Sequence, residues 1–462
     1  MRAPAPNSVA VLYFEPRDTV DAYLADGLTV DVATLLGNVP SVQVKPPGVV
    51  RRAQRATPQD FPAIARALSV RYLVDGSVRR AGARLHVTVR LVIAGTTVSA
   101  WGEILDRTPD EFPTLPSVIA RDVASRIAGT SAAATAQPAA PRTPSPGAYD
   151  HFLRGNFFLA LRTPEGITRA IAEYREAERL DSGFAAAIGR AAYAIALAQA
   201  NYFSIPDVPP ESVAARGLAV ADRALRRDST SSDAWMARGF LLAYATPHTL
   251  AGSIEALRRA NAIDPRNAEA HHQYAQILNW LGRFDDADRE LRTAIELEPD
   301  RVVSYCDLAL WNPRRDPAVV LALTDTAVAL DPASSLAHWA RGLARALAGD
   351  FRGAVEDGES ANRLSPGLPN FEGFLAYAAA RSGDTTRARS LLAHWPGHTE
   401  FGIALAILAL GDTAAVLDRL EQSPQNPNRW ALMLQPEFDP LHGNTRYERL
   451  LATLRPLEAV GP

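Results

Sequence analysis

The sequence predicts a small α/β domain followed by an all-α superhelical solenoid. In the C-terminal half, prolines recur at Pro265, Pro299, Pro332 and Pro366, so the intervals are 34, 33 and 34 residues (299−265, 332−299, 366−332). An alanine lies five residues before each proline, and a small or β-branched residue lies twelve before it. Near the N-terminus, apolar and polar residues instead alternate over Arg84–Ile93, which is typical of a half-buried strand. Repeated helical hairpins and a separate sheet domain follow from these observations.

The N-terminal domain, predicted over residues 1–128, is an α/β domain with a mixed sheet and flanking helices. Ser8–Phe14 is a short apolar run typical of a buried strand, and Asp18–Val39 has helical periodicity. Glycine-containing turns join Arg84–Ile93 to a strand on either side. The other predicted elements are strands at Val42–Val44, Arg71–Arg79 and Thr97–Leu105, helices at Asp60–Ser69 and Ser117–Ala128, and turns at Arg80–Ala83 and Ala94–Thr96.

Several segments of this domain carry a family resemblance. They are Ser8–Leu12, Ala25–Thr29, Val70–Arg80, Gly82–Thr88, and Trp101 ahead of Asp106-Arg107. On these segments, residues 1–128 resemble the amino-terminal TolB-like (FlgO-like) domain of bacterial signalling proteins. The resemblance implies a domain that commonly precedes helical repeats and often follows a protein kinase, a nucleotide cyclase or a winged-helix DNA-binding domain. Lys45–Thr57 departs from the family pattern and carries three arginines instead.

Residues 129–147 are predicted to form a Pro/Ala-rich linker. The stretch consists mainly of small residues and threonines and contains four prolines. Such a composition favours a semi-extended chain. Some freedom is therefore expected between the α/β domain and the helices that follow.

Residues 148–430 are predicted to form about seven helical hairpins, with the most regular pattern at 232–368. A period of about 34 residues with these landmarks is the signature of tetratricopeptide repeats, which this stretch resembles. The small residue twelve before each proline lets the two helices of a hairpin approach, and the later alanine faces the next hairpin. Proline ends the second helix because it lacks a backbone N–H and disfavours helical geometry at the residue before it. Residues 431–462 are predicted to be a polar capping segment, which an open-ended solenoid needs.

The composition narrows the classes of partner and compartment. The net charge is −3, from 48 basic and 51 acidic residues, which favours neither nucleic acid nor an anionic membrane surface. Cys306 is the single cysteine, so a disulfide within the chain and a thiolate metal cluster are excluded. No apolar run approaches the roughly 18 residues of a spanning helix, and the N-terminus has no signal-peptide core. The expected location is the cytoplasm if the chain is complete, or the extracytoplasmic side if it belongs to a membrane-anchored protein.

Recognisable catalytic and cofactor motifs are missing from the sequence. It contains no Walker phosphate loop, no dinucleotide fingerprint and no Gly-x-Ser-x-Gly elbow. His271 and His272 are adjacent, so on a helix they point about 100° apart and suit a shared metal poorly. His394 and His398 have the spacing of a ligand pair, but Pro396 interrupts any helix between them. We therefore predict no enzyme activity, no cofactor and no metal site.

Arg79, Arg80 and Arg84 form a candidate anion patch. Guanidinium groups suit phosphate because they donate two parallel hydrogen bonds. The alternative is an ordinary solvated strand end. Aromatic residues do not interleave with these arginines, as a single-stranded nucleic-acid site would require, so no nucleic-acid partner is predicted.

The concave face of the solenoid is the predicted partner site. The resemblance to tetratricopeptide repeats implies that ligands lie there, against residues of each first helix that are outside the core. Aromatic and leucine side chains at these positions favour an apolar or helical protein or peptide. The alternative is that they pack inside a tightly coiled superhelix or against a second subunit. The predicted groove residues are Met236, Phe240, Tyr244, Glu269, His272, Gln276, Trp280, Trp339, Leu343 and Leu347.

Three hypotheses for function follow. The leading one is a non-enzymatic scaffold or adaptor that binds its partner in the repeat groove and uses the α/β domain as a sensor or docking module. The second is the sensory half of a bacterial kinase, adenylate cyclase or transcription regulator. The third is a self-assembling structural protein, in which solenoids join end to end or one domain enters another's groove.

Overall fold

The computed structural model describes residues 4–82, 84–95, 99–129, 143–200, 203–245, 250–422 and 427–456. The ends of both predicted hairpin turns, the start of the strand predicted at Thr97–Leu105 and most of the predicted linker lie outside the described residues. The chain divides into two compact units. The first comprises Met1–Leu241, Ala262–Pro265 and Leu297–Asp300, and the second comprises Leu242–Asn261, Arg266–Glu296 and Arg301–Pro462.

The first unit contains a mixed β-sheet, as predicted. Its strand order is β3-β1-β4-β5-β6, and β2 pairs with β4 beside this path. The pairs of β1 with β3 and β4 are parallel, whereas β4, β5 and β6 are antiparallel. The strands are β1 (Ser8–Val11), β2 (Glu15–Pro16), β3 (Gln43–Val44), β4 (Tyr72–Ala81), β5 (Arg84–Ile93) and β6 (Ser99–Arg107).

Successive side chains of a strand point to opposite faces of the sheet, so apolar residues at alternate positions line one face. Helices pack on the sheet because they cover this apolar surface. The predicted alternation of β5 is confirmed, since Leu85, Val87, Val89 and Leu91 are all buried. The helices of this domain are α1 (Ala22–Gly37), α2 (Pro47–Ala56), α3 (Phe61–Leu68) and α4 (Leu115–Ala128). On one face, α2 and α3 form a core with β1, β4 and β5, and that core comprises Ala10, Leu12, Val50, Ile64, Ala65, Leu68, Val70, Leu73 and Val92.

The remaining helices follow in chain order. They are α5 (Pro146–Ala160), α6 (Pro164–Leu180), α7 (Ala185–Ala200), α8 (Val213–Arg227), α9 (Ser232–Ala245), α10 (Ala251–Ile263), α11 (Ala268–Trp280), α12 (Phe284–Leu297), α13 (Val302–Leu310), α14 (Pro317–Leu330), α15 (Ser335–Leu347), α16 (Phe351–Leu364), α17 (Pro369–Arg381), α18 (Thr385–Leu392), α19 (Phe401–Ala409), α20 (Thr413–Gln422), α21 (Pro427–Met433) and α22 (Thr445–Leu454). Among the described residues, none of these helices combines the length and the apolar character of a bilayer-spanning helix.

Helix α5 lies directly against the α/β domain within the first unit. The Tyr23 hydroxyl donates to Asp150 at 2.6 Å, and Arg154 donates to the same hydroxyl at 3.0 Å. The Tyr149 hydroxyl of α5 donates to the carboxylate of Asp31 on α1. The linker composition predicted freedom at this point, whereas these side-chain pairs hold α5 in place. Composition could not reveal the pairing, because its partners are more than 100 residues apart in the chain.

The repeat landmarks behave as the sequence predicts. Each of the four periodic prolines lies two residues after the last residue of a helix, namely α10, α12, α14 and α16. The alanines five residues before them are all fully buried, as expected for positions where helices meet: Ala260, Ala294, Ala327 and Ala361. The next helix starts from a side-chain cap, as when Asn267 accepts a hydrogen bond from the amide of Ala270 at 3.0 Å. Helical hairpins therefore form where the 34-residue period places them.

The C-terminal part differs from the predicted polar cap. Its elements are α21, a 3₁₀ turn at Pro436–Leu441 and α22. Large side chains of the predicted capping segment enter the core of the second unit, where Met433, Phe438 and Tyr447 are all at most 1% exposed. The prediction of a polar segment is therefore wrong for these residues. Few charged residues occur between Trp430 and Phe438, and that run carried the signal in the sequence.

Candidate functional site

The second unit contains a groove with a cavity of about 580 Å³. Its wall is built from the first helices of successive hairpins, which stack side by side and present one side chain per turn to the same face. The wall residues come from α11, α13, α15, α17 and α19, from the loop after α13 and from the start of α14. They are Gln276, Asn279, Asp307, Ala309, Leu310, Trp311, Asn312, Pro313, Arg314, Arg315, Pro317, Val320, Trp339, Leu343, Leu347, Asn370 and Phe401.

A charged network stiffens the wall between α11 and α13. The imidazole Nε2 of His272 lies 2.7 Å from the carboxylate of Asp307, and its ring stacks on Trp311 at 5.8 Å. Arg301 donates to Glu269 at 2.7 Å and lies 3.2 Å from the other ring nitrogen of His272. These side chains connect neighbouring repeats, so they set the spacing of the wall.

The apolar part of the wall lies on α15. Trp339, Leu343 and Leu347 line the cavity from this helix, and Phe401 lines it from α19. The ring of Trp339 packs against Phe371 at 6.4 Å, which fixes the orientation of the indole. The aromatic and aliphatic side chains of α15 and α19 make this stretch suited to an apolar ligand.

The opposite wall is part of the chain itself. Ala431, Leu432, Gln435, Pro436 and Glu437 line the same cavity. We call residues 427–441, which comprise α21 and the 3₁₀ turn, the C-terminal segment. It packs against α11. The ring of Phe438 also lies against the ring of Phe401 in the repeat wall, with the centroids 5.9 Å apart.

Buried polar atoms around the cavity lack partners within the described residues. They are Oδ1 of Asn279, Nε of Arg315, Nε1 of Trp339 and Oε2 of Glu437. Burial raises the pKa of the Glu437 carboxyl, although a hydrogen bond from its own backbone amide lowers it, and the nearby charge of Asp439 makes a smaller contribution that raises it. Burial also raises the pKa of Tyr377 to about 12, with a smaller contribution from Glu437. Buried polar groups without a partner are uncommon in folded proteins, and a bound ligand could pair with those that line the cavity.

The ten predicted groove residues occupy different kinds of position in the structure. Gln276, Trp339, Leu343 and Leu347 line the cavity. Glu269 and His272 belong to the charged network that spaces the wall.

The other predicted groove residues do not line an open surface. Met236, Phe240 and Trp280 are at most 1% exposed, so their prediction as groove residues is wrong for this structure. Tyr244 is half-buried and meets Trp280 edge-on at 5.6 Å. These residues agree better with the alternative stated in the sequence analysis, in which the side chains pack inside a tightly coiled superhelix. The residues that sequence reasoning missed are those of the C-terminal segment, whose run of apolar residues was the available signal.

The candidate anion patch is occupied by acidic partners. Arg80 pairs with Asp150 at 3.1 Å and also lies 3.6 Å from Asp21. Arg84 donates to Asp106 at 2.7 Å, whereas Arg79 is exposed. Two of the three guanidinium groups are therefore neutralised by carboxylates. The anion hypothesis gains no support from this geometry.

The adjacent histidines engage different carboxylates. His271 lies 2.5 Å from Glu290, while His272 faces Asp307. The two rings therefore point to different helices, as their spacing predicts. Within the described residues, His, Cys, Asp and Glu side chains form no group that could hold a metal ion.

The stacked hairpins and their groove define a protein-interaction scaffold of the tetratricopeptide type. Residues 248–305 match the tetratricopeptide repeat family model. The chain therefore contains tetratricopeptide repeats, as the 34-residue period indicates.

The chain is also similar over part of its length to several known proteins. A protein of Rhizobium meliloti (strain 1021) named "Putative adenylate cyclase 3" is 25% identical over 291 residues, which are 62% of this chain and 42% of the relative. The chain thus spans less than half the length of that relative. Among solved structures, the Cut9–Hcn1 assembly matches with a TM-score of 0.47 at 12% identity, covering 74% of this chain and 63% of the other. Yeast Tom70 matches with a TM-score of 0.41 at 16% identity, covering 67% and 65%.

Proposed function

We propose that this protein is a non-enzymatic adaptor that binds a protein or peptide partner in the groove of the second unit. The observation that carries the proposal is the wall formed by Gln276 of α11 and by Trp339, Leu343 and Leu347 of α15, which face one cavity. A row of apolar side chains with interspersed amides suits a peptide, because the amides pair with its backbone while the apolar groups bury its side chains.

The α/β domain is proposed to be the sensor or docking module of the adaptor. Its resemblance to TolB-like domains supports this role. The contacts of Tyr23 and Asp31 with α5 also support it, since a change in the domain would act directly on the first repeat helix.

A second candidate function is the sensory part of a nucleotide cyclase or a related regulator. It is favoured by the similarity to the Rhizobium meliloti protein, of which this chain spans 42%. In this reading the chain would couple a signal to a catalytic module carried elsewhere. Co-purification of the chain with a cyclase or kinase would favour it over a general adaptor.

Cross-linked affinity capture from the source bacterium tests the adaptor proposal. The native chain would be compared with Leu347→Asp, which places a charge on the groove wall. The matched control is Leu368→Asp, because Leu368 is 44% exposed and does not line the cavity.

A partner that is captured by the native chain and the Leu368→Asp control but lost from Leu347→Asp would support binding in the groove. A partner captured equally by all three chains would place the interface elsewhere and count against the proposal.

A further inference from the structure

The C-terminal segment lies where a groove ligand would lie. Its side chains form one hydrophobic core with the repeats, in which Trp430 and Met433 join Leu343 of α15 and Ile403 of α19. Leu432 and Pro436 complete the wall of the cavity. The segment therefore covers apolar side chains of the groove that would otherwise be exposed to solvent.

The segment has the form of a short apolar helix that ends at a proline. Helix α21 spans Pro427–Met433, and the residues from Trp430 onward read Trp-Ala-Leu-Met-Leu-Gln-Pro-Glu-Phe. Trp430 and Met433 are three residues apart, so they lie on one face of the helix and enter the core together. Leu432 is turned toward the cavity instead.

The fit between the segment and the groove is incomplete. The cavity of about 580 Å³ lies between the segment and the repeat wall and is partly open to solvent, so the segment fills only part of the groove. Asn279 offers an unpaired acceptor and Trp339 an unpaired donor on the groove wall. Glu437 contributes a buried carboxylate oxygen without a hydrogen-bond partner in the described part of the chain. Each such group weakens the docked arrangement relative to one in which it is paired.

We propose that the C-terminal segment is a tethered occupant of the groove, and that the partner docks through an apolar helical segment of the same kind, which displaces it. This inference rests on the proposed function, because it takes the groove to be the binding site. The partner segment would carry an aromatic and an aliphatic residue three positions apart, in place of Trp430 and Met433. It would also supply a donor to Asn279 and an acceptor to Trp339, which the tethered segment does not.

Competition by the tether has a direct consequence for affinity. A site that is free only part of the time binds its ligand more weakly in proportion to the free fraction. The native chain should therefore bind a copy of its own segment weakly, and a chain with a loosened segment should bind the same copy well.

A labelled synthetic peptide of residues 427–441 is the probe. It would be titrated by fluorescence anisotropy into the full-length native chain and into the double variant Trp430→Ala/Met433→Ala. That variant removes the anchors of the tethered segment and leaves the groove wall intact. The control is Trp101→Ala, which removes a tryptophan from β6 in the α/β domain.

The double variant is expected to bind the peptide at least tenfold more tightly than the native chain, and the added change Trp339→Ala should abolish that gain. The Trp101→Ala control should bind like the native chain. Equal binding by all chains, or no binding by a folded double variant, would overturn the proposal. A double variant that dimerises in light scattering would also overturn it, in favour of segment exchange between two copies of this chain.

Hydrogen exchange on the native chain keeps the proposal testable if the double variant does not fold. Amides of the C-terminal segment should exchange at least tenfold faster than those of α17 and α19, against which it packs. Equally slow exchange would show that the segment does not open and would refute displacement. Neither measurement uses a cellular partner, so a failure here is distinguishable from a failure of affinity capture.

Discussion

Replacing Glu437 by glutamine is expected to stabilise the docked C-terminal segment at neutral pH. The carboxylate is buried without a hydrogen bond to Oε2 within the described residues, and the charge of Asp439 acts on it unfavourably. An unsatisfied buried group costs about 1–3 kcal/mol, more for a charge than for an amide. The variant should therefore gain about 1 kcal/mol in the free energy of unfolding. For a cooperative unit of 150–250 residues, this corresponds to a rise in Tm of about 2–4 °C.

The pH dependence of this gain has a definite sign. Burial raises the pKa of the Glu437 carboxyl above its ordinary value of 4.5, so the docked segment binds the proton more tightly than the free segment does. The resulting stabilisation is fully present below the free pKa of about 4.3 and is lost as pH rises through the docked pKa. Glutamine does not titrate. The advantage of the variant should therefore be largest at pH 7 to 8 and shrink toward pH 4.

Thermal unfolding followed by circular dichroism across this pH range is the assay. The matched control is Glu211→Gln, since Glu211 is exposed in the first unit and its replacement should leave Tm unchanged at every pH. A glutamine variant at 437 that is less stable than the native chain at pH 7 would refute the reasoning, because it would mean that the hydrogen bond from the backbone amide of Glu437 outweighs the cost of burying the charge. An advantage of the same size at every pH would refute the assigned titration.

Further predictions concern the core, the thiol and the contact of α5 with the α/β domain. Gly342→Ala should lower the free energy of unfolding by about 1–3 kcal/mol in denaturant titration, because the added methyl group would lie 2.6 Å from the ring of Phe374. Gly252→Ala, where the nearest neighbour is at an ordinary 3.4 Å, should be neutral or slightly stabilising, and equal losses at both positions would contradict the packing argument. Cys306 is buried, and burial raises the pKa of its thiol, so iodoacetamide at pH 8 should label it by mass spectrometry only after denaturation; rapid labelling of the native chain would show that α13 opens. Tyr23→Phe removes a hydroxyl that donates to Asp150 and accepts from Arg80 and Arg154, so it should cost about 1 kcal/mol in thermal unfolding. Tyr72→Phe is its control, and equal effects would argue against this network.

The helical repeats could be predicted from the sequence because their determinants are local. A proline ends a helix because its ring clashes with the preceding turn and it lacks a backbone N–H. The ends of α10, α12, α14 and α16 could therefore be predicted without any tertiary information. The buried face of β5 could also be predicted from local sequence, because the side chains of a strand alternate between its two faces with a period of two residues.

The groove could be predicted only in part. The repeat pattern identifies which residues of a first helix point away from its own hairpin, and four of these, Gln276, Trp339, Leu343 and Leu347, line the cavity. Their role in binding a partner stays a prediction. It does not identify how closely successive helices approach. Met236, Phe240 and Trp280 share the pattern but are fully buried, because burial depends on side chains that other parts of the fold bring to them.

The sequence by itself determined that the chain has an α/β domain followed by tetratricopeptide hairpins, because those features depend on residues close together in the chain. Only the tertiary structure decided that residues 427–441 form one wall of the groove. Trp430 and Leu343 belong to the same core although 87 residues separate them (430−343), and no local pattern encodes such long-range packing. The physical reason is that apolar burial is non-directional: it requires a covered surface but does not specify which distant segment covers it.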